Sequence, residues 1–439
     1  MNINKFLILG FLVLTFVKGF CQKTYSLEEC ISTALHNSQL VRSTDIRLKD
    51  AGIDVDRATA FKLPSASAGF GHGLNFGRSI DPSTNDFINE RITRGGFSAQ
   101  AFQPLWQAGS TKQSIKQYQY AEEASRWTLK NEQDNLQLQV TLAYLQVLNN
   151  KELAARSAQQ ELTTLEQLNR LKNLNDQGAV LPNLYSDMQG QYALDQMNSL
   201  DALQAIKTSK LALSQLMNIP YQESLEVTTD ASIEAIDQLA FGNSNFDQAY
   251  SQHALIKSSE FQIKSAEASL LAAKAERYPS FGLGADFGSN YSSAYRLQGD
   301  KVGYPKQLSN NFNYATYLSL NIPILDNARV RSNTRKAENA IELAKVNTEY
   351  ARTFVQQKIE EARLMQTNAT ERYKVIQSQV SAFSESFRVT EARFNAGAIH
   401  SVEYLIVKNN LDRAQNQLIA AKYEIAFRNK ILDYYAGIK

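Results

Sequence analysis

Phe281-Gly282-Leu283-Gly284-Ala285-Asp286-Phe287-Gly288 alternates bulky or apolar residues with glycine and aspartate. A period of two sends successive side chains to opposite faces of a strand. Three further stretches read alike. Phe312, Tyr314, Thr316, Leu318, Leu320 and Ile322 alternate with Asn313, Ala315, Ser319 and Asn321. Ala66, Ala68, Phe70, His72 and Leu74 form another strand, with Phe97 to Gln103 as its partner. Each run is about 8 to 12 residues, the length of a tilted strand that crosses a bilayer. Phe76, Trp106, Tyr291 and Tyr317 flank the runs as candidates for interfacial girdles. The connections Gly77 to Arg94 and Ser292 to Asn310 read as long polar loops.

Four strands cannot close on themselves, because the smallest spanning barrels have about eight. Open edges are not tolerated in lipid, where each unpaired backbone group costs several kcal/mol. If these strands span a membrane, several chains must share one barrel. Two copies would supply eight strands and three would supply twelve.

The strand pairs belong to a duplication. Gln177-Gly178-Ala179-Val180 matches Ala396-Gly397-Ala398-Ile399, and Phe102-Gln103-Pro104-Leu105 matches Asn321-Ile322-Pro323-Ile324, both at a spacing of 219 residues. Leu63-Pro64-Ser65 matches Tyr278-Pro279-Ser280 at 215. Each half cycles through a medium helix, a strand pair, a very long helix, a glycine turn and a second medium helix. Such regularity builds pseudo-symmetric walls rather than one pocket.

From Ala108 to Gln177, and again from Asn327 to Ala396, the composition is strongly helical, and past Gly109 no proline or glycine interrupts it. Seventy helical residues would make a rod of roughly 105 Å. In the second rod, Ala362, Ala369, Ile376 and Phe383 fall seven apart, interleaved with Tyr373, Val380, Phe387 and Phe394. That is a supercoiling seam. The first rod is looser, with Leu148, Ala155 and Leu162 at the same spacing. The medium helices are expected over Leu27 to Lys62, Pro182 to Met217, Phe246 to Arg277 and Val402 to Tyr434.

Residues 1–21 read as an export signal: Lys5, the apolar run Phe6 to Val17, then Gly19-Phe20-Cys21 before Gln22. A lipoprotein reading of Cys21 meets a poor lipobox, because Phe20 is bulky. Without Lys5 and Lys18 the 46 basic residues fall level with the 44 acidic ones, so nothing favours nucleic acid. No later segment offers a transmembrane helix.

In this order the elements resemble a TolC-like outer-membrane efflux protein. The carriers are the Leu27-Glu28-Glu29-Cys30-Ile31 opening with Ala34, Leu35 and Asn37, the Leu63-Pro64 and Tyr278-Pro279 hinges, the strands ending at Pro104 and Pro323, and the Gly178 and Gly397 tips. The resemblance covers nearly all of the mature chain. It implies a mainly α fold with a β-barrel part: a homotrimer whose long antiparallel helices form an α-helical barrel, continued by a 12-stranded barrel with four strands per chain. The first repeat would be 22–219 (strand pair 65–104, long helix 108–177, returning helix 182–217). An equatorial linker would follow at 220–245. The second repeat would be 246–439 (strand pair 280–323, long helix 327–396, returning helix 402–437).

The same resemblance implies a passive exit duct in the outer membrane of a Gram-negative cell, reaching into the periplasm. It would serve a tripartite efflux or type I secretion system, beside an inner-membrane pump and a periplasmic adaptor (membrane fusion) protein. The alternative is a periplasmic coiled-coil adaptor or scaffold, which leaves the strand pairs unexplained. Gly178, Ala179, Val180 and Leu181, with Gly397, Ala398, Ile399 and His400, are the expected adaptor contacts. Pro182 and Ser401 suit the first turn and N-cap of the returning helices. Family members often carry an acid six positions after the tip glycine, which here is Glu403. Leu184 stands at the matching place in the first half, and Asp187 is the nearest acid. Tyr185 and Tyr404 match across the repeat. These four are the candidate pore gate, although Glu403 also suits a helix first turn.

No cofactor, catalytic group or metal site is expected. His36, His72, His253 and His400 are scattered, and no Cys-x-x-Cys accompanies them. Gly69-Phe70-Gly71-His72-Gly73 lies in an alternating strand and lacks the strand-turn-helix setting of a phosphate loop. The remaining Asp and Glu residues read as solvating charges on helix faces.

Overall fold

A computed structural model describes residues 24–80, 85–179, 182–228, 250 and 252–436. The expected export signal, with Cys21, and most of the linker lie outside them. In chain order the elements are β1 (Thr24–Tyr25), α1 (Leu27–Asn37), α2 (Gln39–Ala60), β2 (Ser65–Asn75), β3 (Arg78–Ile80), β4 (Phe87–Asn89), β5 (Ile92–Trp106), α3 (Ser110–Asp176), α4 (Pro182–Leu216) and β6 (Glu226–Val227). The second half continues with α5 (Ala254–Ala275), β7 (Ser280–Ser292), β8 (Arg296–Leu297), β9 (Asp300–Lys301), α6 (Tyr304–Asn310), β10 (Asn313–Asn321), α7 (Arg329–Asn395) and α8 (Ser401–Tyr435). The long helices α3 and α7 each have 67 residues, and the returning helices α4 and α8 each have 35.

The strand-to-rod turns repeat in backbone detail. Ala108 and Asn327 share a left-handed φ of 52° and 53°, and Gly109 and Ala328 follow at 85° and 63°. Each pair is 219 residues apart. The duplication therefore extends to individual dihedrals.

The expected helix 27–62 is instead two helices. Ser38 is extended (φ −63°, ψ 121°), donates its N–H to Ala34 and accepts from the Val41 N–H through its hydroxyl. Asn37 ties the break down: its Nδ2 donates to the Met217 carbonyl, and Asn218 donates back to the Asn37 carbonyl. A hydroxyl that caps the second helix competes with continuing the first.

The chain divides into two compact units, and α3 and α7 contribute to both. One unit draws on residues up to 43, 129–253 and 353 onward. Its core joins Cys30 and Ala34 of α1, Val140, Tyr144 and Leu148 of α3, Leu213 of α4, Ala369 of α7 and Tyr423 of α8. β1 pairs in parallel with β6, and the buried Tyr144 hydroxyl donates to the Thr228 carbonyl. Lys151 and Lys210 both grip Glu226, at 2.9 and 2.8 Å. Burial disfavours the charged Glu226, but the hydrogen bonds from Lys151 and Lys210 outweigh it and hold its carboxyl below the usual range. Burial, helped by the nearby Glu29, pushes the Cys30 thiol up to about 12, which leaves it inert. The heptad reading holds at Ala362, Ala369 and Ile376, all buried.

The other unit, 44–128 and 254–352, holds the sheet. The strand order is β10-β7-β5-β2, every neighbour antiparallel, with β10 and β2 as unpaired edges. The connections are more ordered than polar loops: β3 pairs with β4, β8 with β9, and α6 folds onto β7. Buried Gln307 fixes α6 there, accepting from the Ser292 N–H and donating to the Ser292 and Val302 carbonyls. In the same unit α5 is joined to α3 by Ser258 and Ser265, which donate to the Ala124 and Gln117 carbonyls.

Candidate functional site

Register fixes what each face of the sheet presents. Ala68, Ala99, Phe287 and Tyr314 stand in one cross-strand row, and Ser67, Gln100, Asp286 and Ala315 in the next. Carried along the strands, the first face holds Phe70, Phe97, Phe281, Leu283, Leu318 and Leu320 among its residues. It carries no Asp, Glu, Lys or Arg on any of the four strands. It is also open: Phe70 is 71% exposed and Leu318 74%. An apolar patch on this scale needs a partner, and lipid fits a face that lacks every formal charge. Aromatic rings gather at both ends of it, Trp106 beside Phe281 (6.4 Å) and Tyr291 beside Tyr304 (4.3 Å) with His72 close by. Tyr317 is not among them, because it alternates onto the second face, over Gly284. That second face is mostly small or polar, with Ser65, Ser67, Gly69, Ser98, Gln100, Asp286, Asn290, Asn313 and Ser319, and it carries the rings of Phe102 and Tyr317. The Gly69 to Gly73 run therefore lies wholly within β2.

The turns at the ends of the rods are built alike. Gly178 (φ 67°) donates to the Asn175 carbonyl and Ala179 to Leu174; Gly397 (φ 72°) donates to Phe394 and Ala398 to Arg393. This paired pattern is a Schellman motif, which requires the left-handed residue that glycine supplies. Gly178, Ala179, Gly397, Ala398 and His400 are exposed, whereas Ile399 packs inward; Val180 and Leu181 lie outside the described residues. His400, not Ser401, occupies the N-cap of α8 and makes no side-chain cap bond. The Ser401 hydroxyl, already inside the helix, donates to Asp187 at 2.7 Å.

The candidate gate residues separate by environment. Tyr404 is fully buried against Phe394 (4.3 Å) and Phe387 (5.7 Å), packed with Leu171 and Met188. Its hydroxyl has no hydrogen-bond partner among the described residues, and burial, with Glu391 and Asp412 adding, pushes its pKa well above the ordinary tyrosine value. Tyr185 sits half-buried at the edge of that cluster. Glu403 is exposed and faces Arg393 at 3.3 Å, so its charge is matched within the chain.

One cluster escaped the sequence reading, which treated its acids as solvating charges. Lys408 of α8 is 4% exposed and reaches Asp195 of α4 (3.1 Å) and Asp412 of α8 (2.7 Å). Thr164 of α3 and Gln191 donate to Asp195 at 2.6 and 2.8 Å, and Asn409 donates to Gln191. Buried charges persist only when paired and hydrogen-bonded, and these are. The only local signal was Lys408 and Asp412 at i,i+4; Asp195 is 213 residues away from Lys408. Among the described residues no group of acids, histidines and cysteines could hold a metal, and no helix is long and apolar enough to cross a membrane.

An exposed, uncharged sheet face with two open edges fits strands that sit in lipid. Residues 245–437 match the family model described as outer membrane efflux protein. No curated protein matches the chain. Solved structures share its fold, three of them as follows. The Campylobacter jejuni CmeC outer membrane channel aligns with a TM-score of 0.77 at 13% identity, over 94% of this chain and 85% of that one. The Vibrio cholerae outer membrane protein VceC gives 0.76 at 14%, over 94% and 97%. The Neisseria gonorrhoeae MtrE outer membrane channel, in its open state, gives 0.74 at 18%, over 94% and 89%. The family match thus covers the C-terminal part of the chain, and the chain as a whole shares the fold of these outer membrane channels.

Proposed function

We propose that the protein is the outer-membrane exit duct of a tripartite efflux or type I secretion system, conducting cargo passively across periplasm and outer membrane. The observation that carries this reading is the open four-stranded sheet, uncharged on one face and polar on the other. Lipid covers the first face, the second lines a water-filled path, and three copies close the edges into twelve strands. A soluble adaptor or scaffold has no use for such a face. The exposed tip residues Gly178, Ala179, Gly397, Ala398 and His400, with Val180, Leu181 and Ile399, meet a periplasmic adaptor that links the duct to an inner-membrane pump. Energy comes from the pump.

Glu403, Asp187, Tyr185 and Tyr404 belong to the gate region. Because Arg393 faces Glu403, the mouth holds three ion pairs rather than three bare carboxylates. The purified protein should sediment in detergent as a trimer and conduct ions across a planar bilayer. A monomer that stays soluble without detergent would overturn the reading. Glu403→Ala should change single-channel conductance; identical traces would remove Glu403 from the gate.

A further inference from the structure

The polar face of the sheet carries two formal charges on its four strands, and they differ in kind. Arg94 lies near the end of β5 and is committed within the chain, its Nη2 donating to the Ser79 hydroxyl (2.6 Å) and the Ile80 carbonyl (3.5 Å). Asp286 is the central residue of β7, which spans Ser280–Ser292. Its cross-strand neighbours are Gln100 and Ala315, and Gly284 and Gly288 flank it on the same face. No base stands in the adjacent rows, which hold Ser98, Phe102, Asn313 and Tyr317. Among the described residues no hydrogen bond or ion pair engages its carboxylate. Every other side chain in the middle of this face is neutral.

We propose that Asp286 sets the charge preference of the strand-lined part of the duct, favouring cations and cationic cargo such as protonated amines over anions. The inference rests on the exit-duct reading. Copies of one chain related by rotation place Asp286 at the same height, so a three-copy barrel carries a ring of three carboxylates across its lumen. Rings of acidic side chains select cations in pores of other architectures, because the wall field raises the local cation concentration. The field reaches about one Debye length, ~10 Å at 0.1 M salt and ~3 Å at 1 M, so the preference is strong in dilute salt and fades in concentrated salt.

The test is the reversal potential of the full-length protein in planar bilayers under a KCl gradient. Wild type should prefer potassium. Asp286→Asn should lower the cation-to-anion permeability ratio several-fold in dilute KCl with little change in concentrated KCl, and Asp286→Lys should invert it. If these variants share the wild-type reversal potential, or if Glu403→Gln alone shifts it, the preference resides elsewhere and the inference fails. If wild type carries no current at all, the exit-duct reading falls and the inference with it. Thiol labelling of membrane-embedded protein checks the geometry independently: Asp286→Cys should react with a charged, water-soluble reagent and Phe287→Cys should not. The reverse pattern would place Asp286 on the lipid side and overturn the proposal.

Discussion

The returning helices α4 and α8 begin from the same backbone and end in different company. Both follow a Schellman turn on a left-handed glycine, at φ 67° and 72°. Yet the residues 219 apart diverge. Tyr404 is fully buried while Tyr185 is only half-buried, and buried Lys408 corresponds to exposed Gln189. Asp412 corresponds to exposed Ala193, and Asp195 to buried Ala414. Two charged grips differ in the same way. Lys151 and Lys210 hold Glu226, which keeps 30% of its side chain in solvent; Lys408 of the second half reaches across to Asp195 of the first, which keeps 7%. Turn geometry is copied because a few local residues dictate it. Packing is not copied, because it depends on what each helix meets.

The sharpest way to break this comparison is Lys408→Ala. Leaving the buried Asp195 carboxylate without its cation should cost about 3–5 kcal/mol, whereas Gln189→Ala should stay within about 0.5 kcal/mol. Thermal unfolding in detergent followed by circular dichroism would separate the two; equal midpoints would mean that Lys408 is not buried in the assembled protein. Tyr404→Ala should cost about 3 kcal/mol through the cavity it leaves, and Tyr185→Ala clearly less. Tyr404→Phe should be neutral or slightly stabilising, since the hydroxyl it removes has no partner.

Smaller effects sharpen the copied part. Gly178→Ala and Gly397→Ala should each cost about 1–2 kcal/mol, and by similar amounts, because the same left-handed residue is forced in both. Ala328→Gly should gain up to about 1 kcal/mol by giving the second rod the residue that its repeat partner Gly109 already has.

The smallest effect concerns pH. The folded-state pKa of Glu226 is depressed, so its contribution is full above the ordinary glutamate range and is lost as pH falls through the folded value. Stability should therefore drop more in acid for wild type than for Glu226→Gln. Parallel pH profiles would show that the Lys151 and Lys210 contacts carry little.

The alternating strands, the rods and the tip glycines were all legible, because each is written in residues close together in sequence. Bounds moved by only a few residues: the rod expected at 108–177 runs from Ser110 to Asp176, and that at 327–396 from Arg329 to Asn395. The break at Ser38 was missed because its force comes from a cap and from Asn37 bonding to residues 180 positions away. Tyr317 was misread as a girdle aromatic for a simpler reason, since its parity on β10 already sent it to the polar face.

What the chain of letters determined alone was therefore periodicity: which residues share a strand face, where a helix must stop, and that one copy leaves the sheet open. Only the tertiary structure decided which charges leave water. Lys408 and Asp195 look like ordinary helix-surface residues until α4, α3 and α8 come together, because burial is set by neighbours hundreds of residues away and no local pattern encodes it.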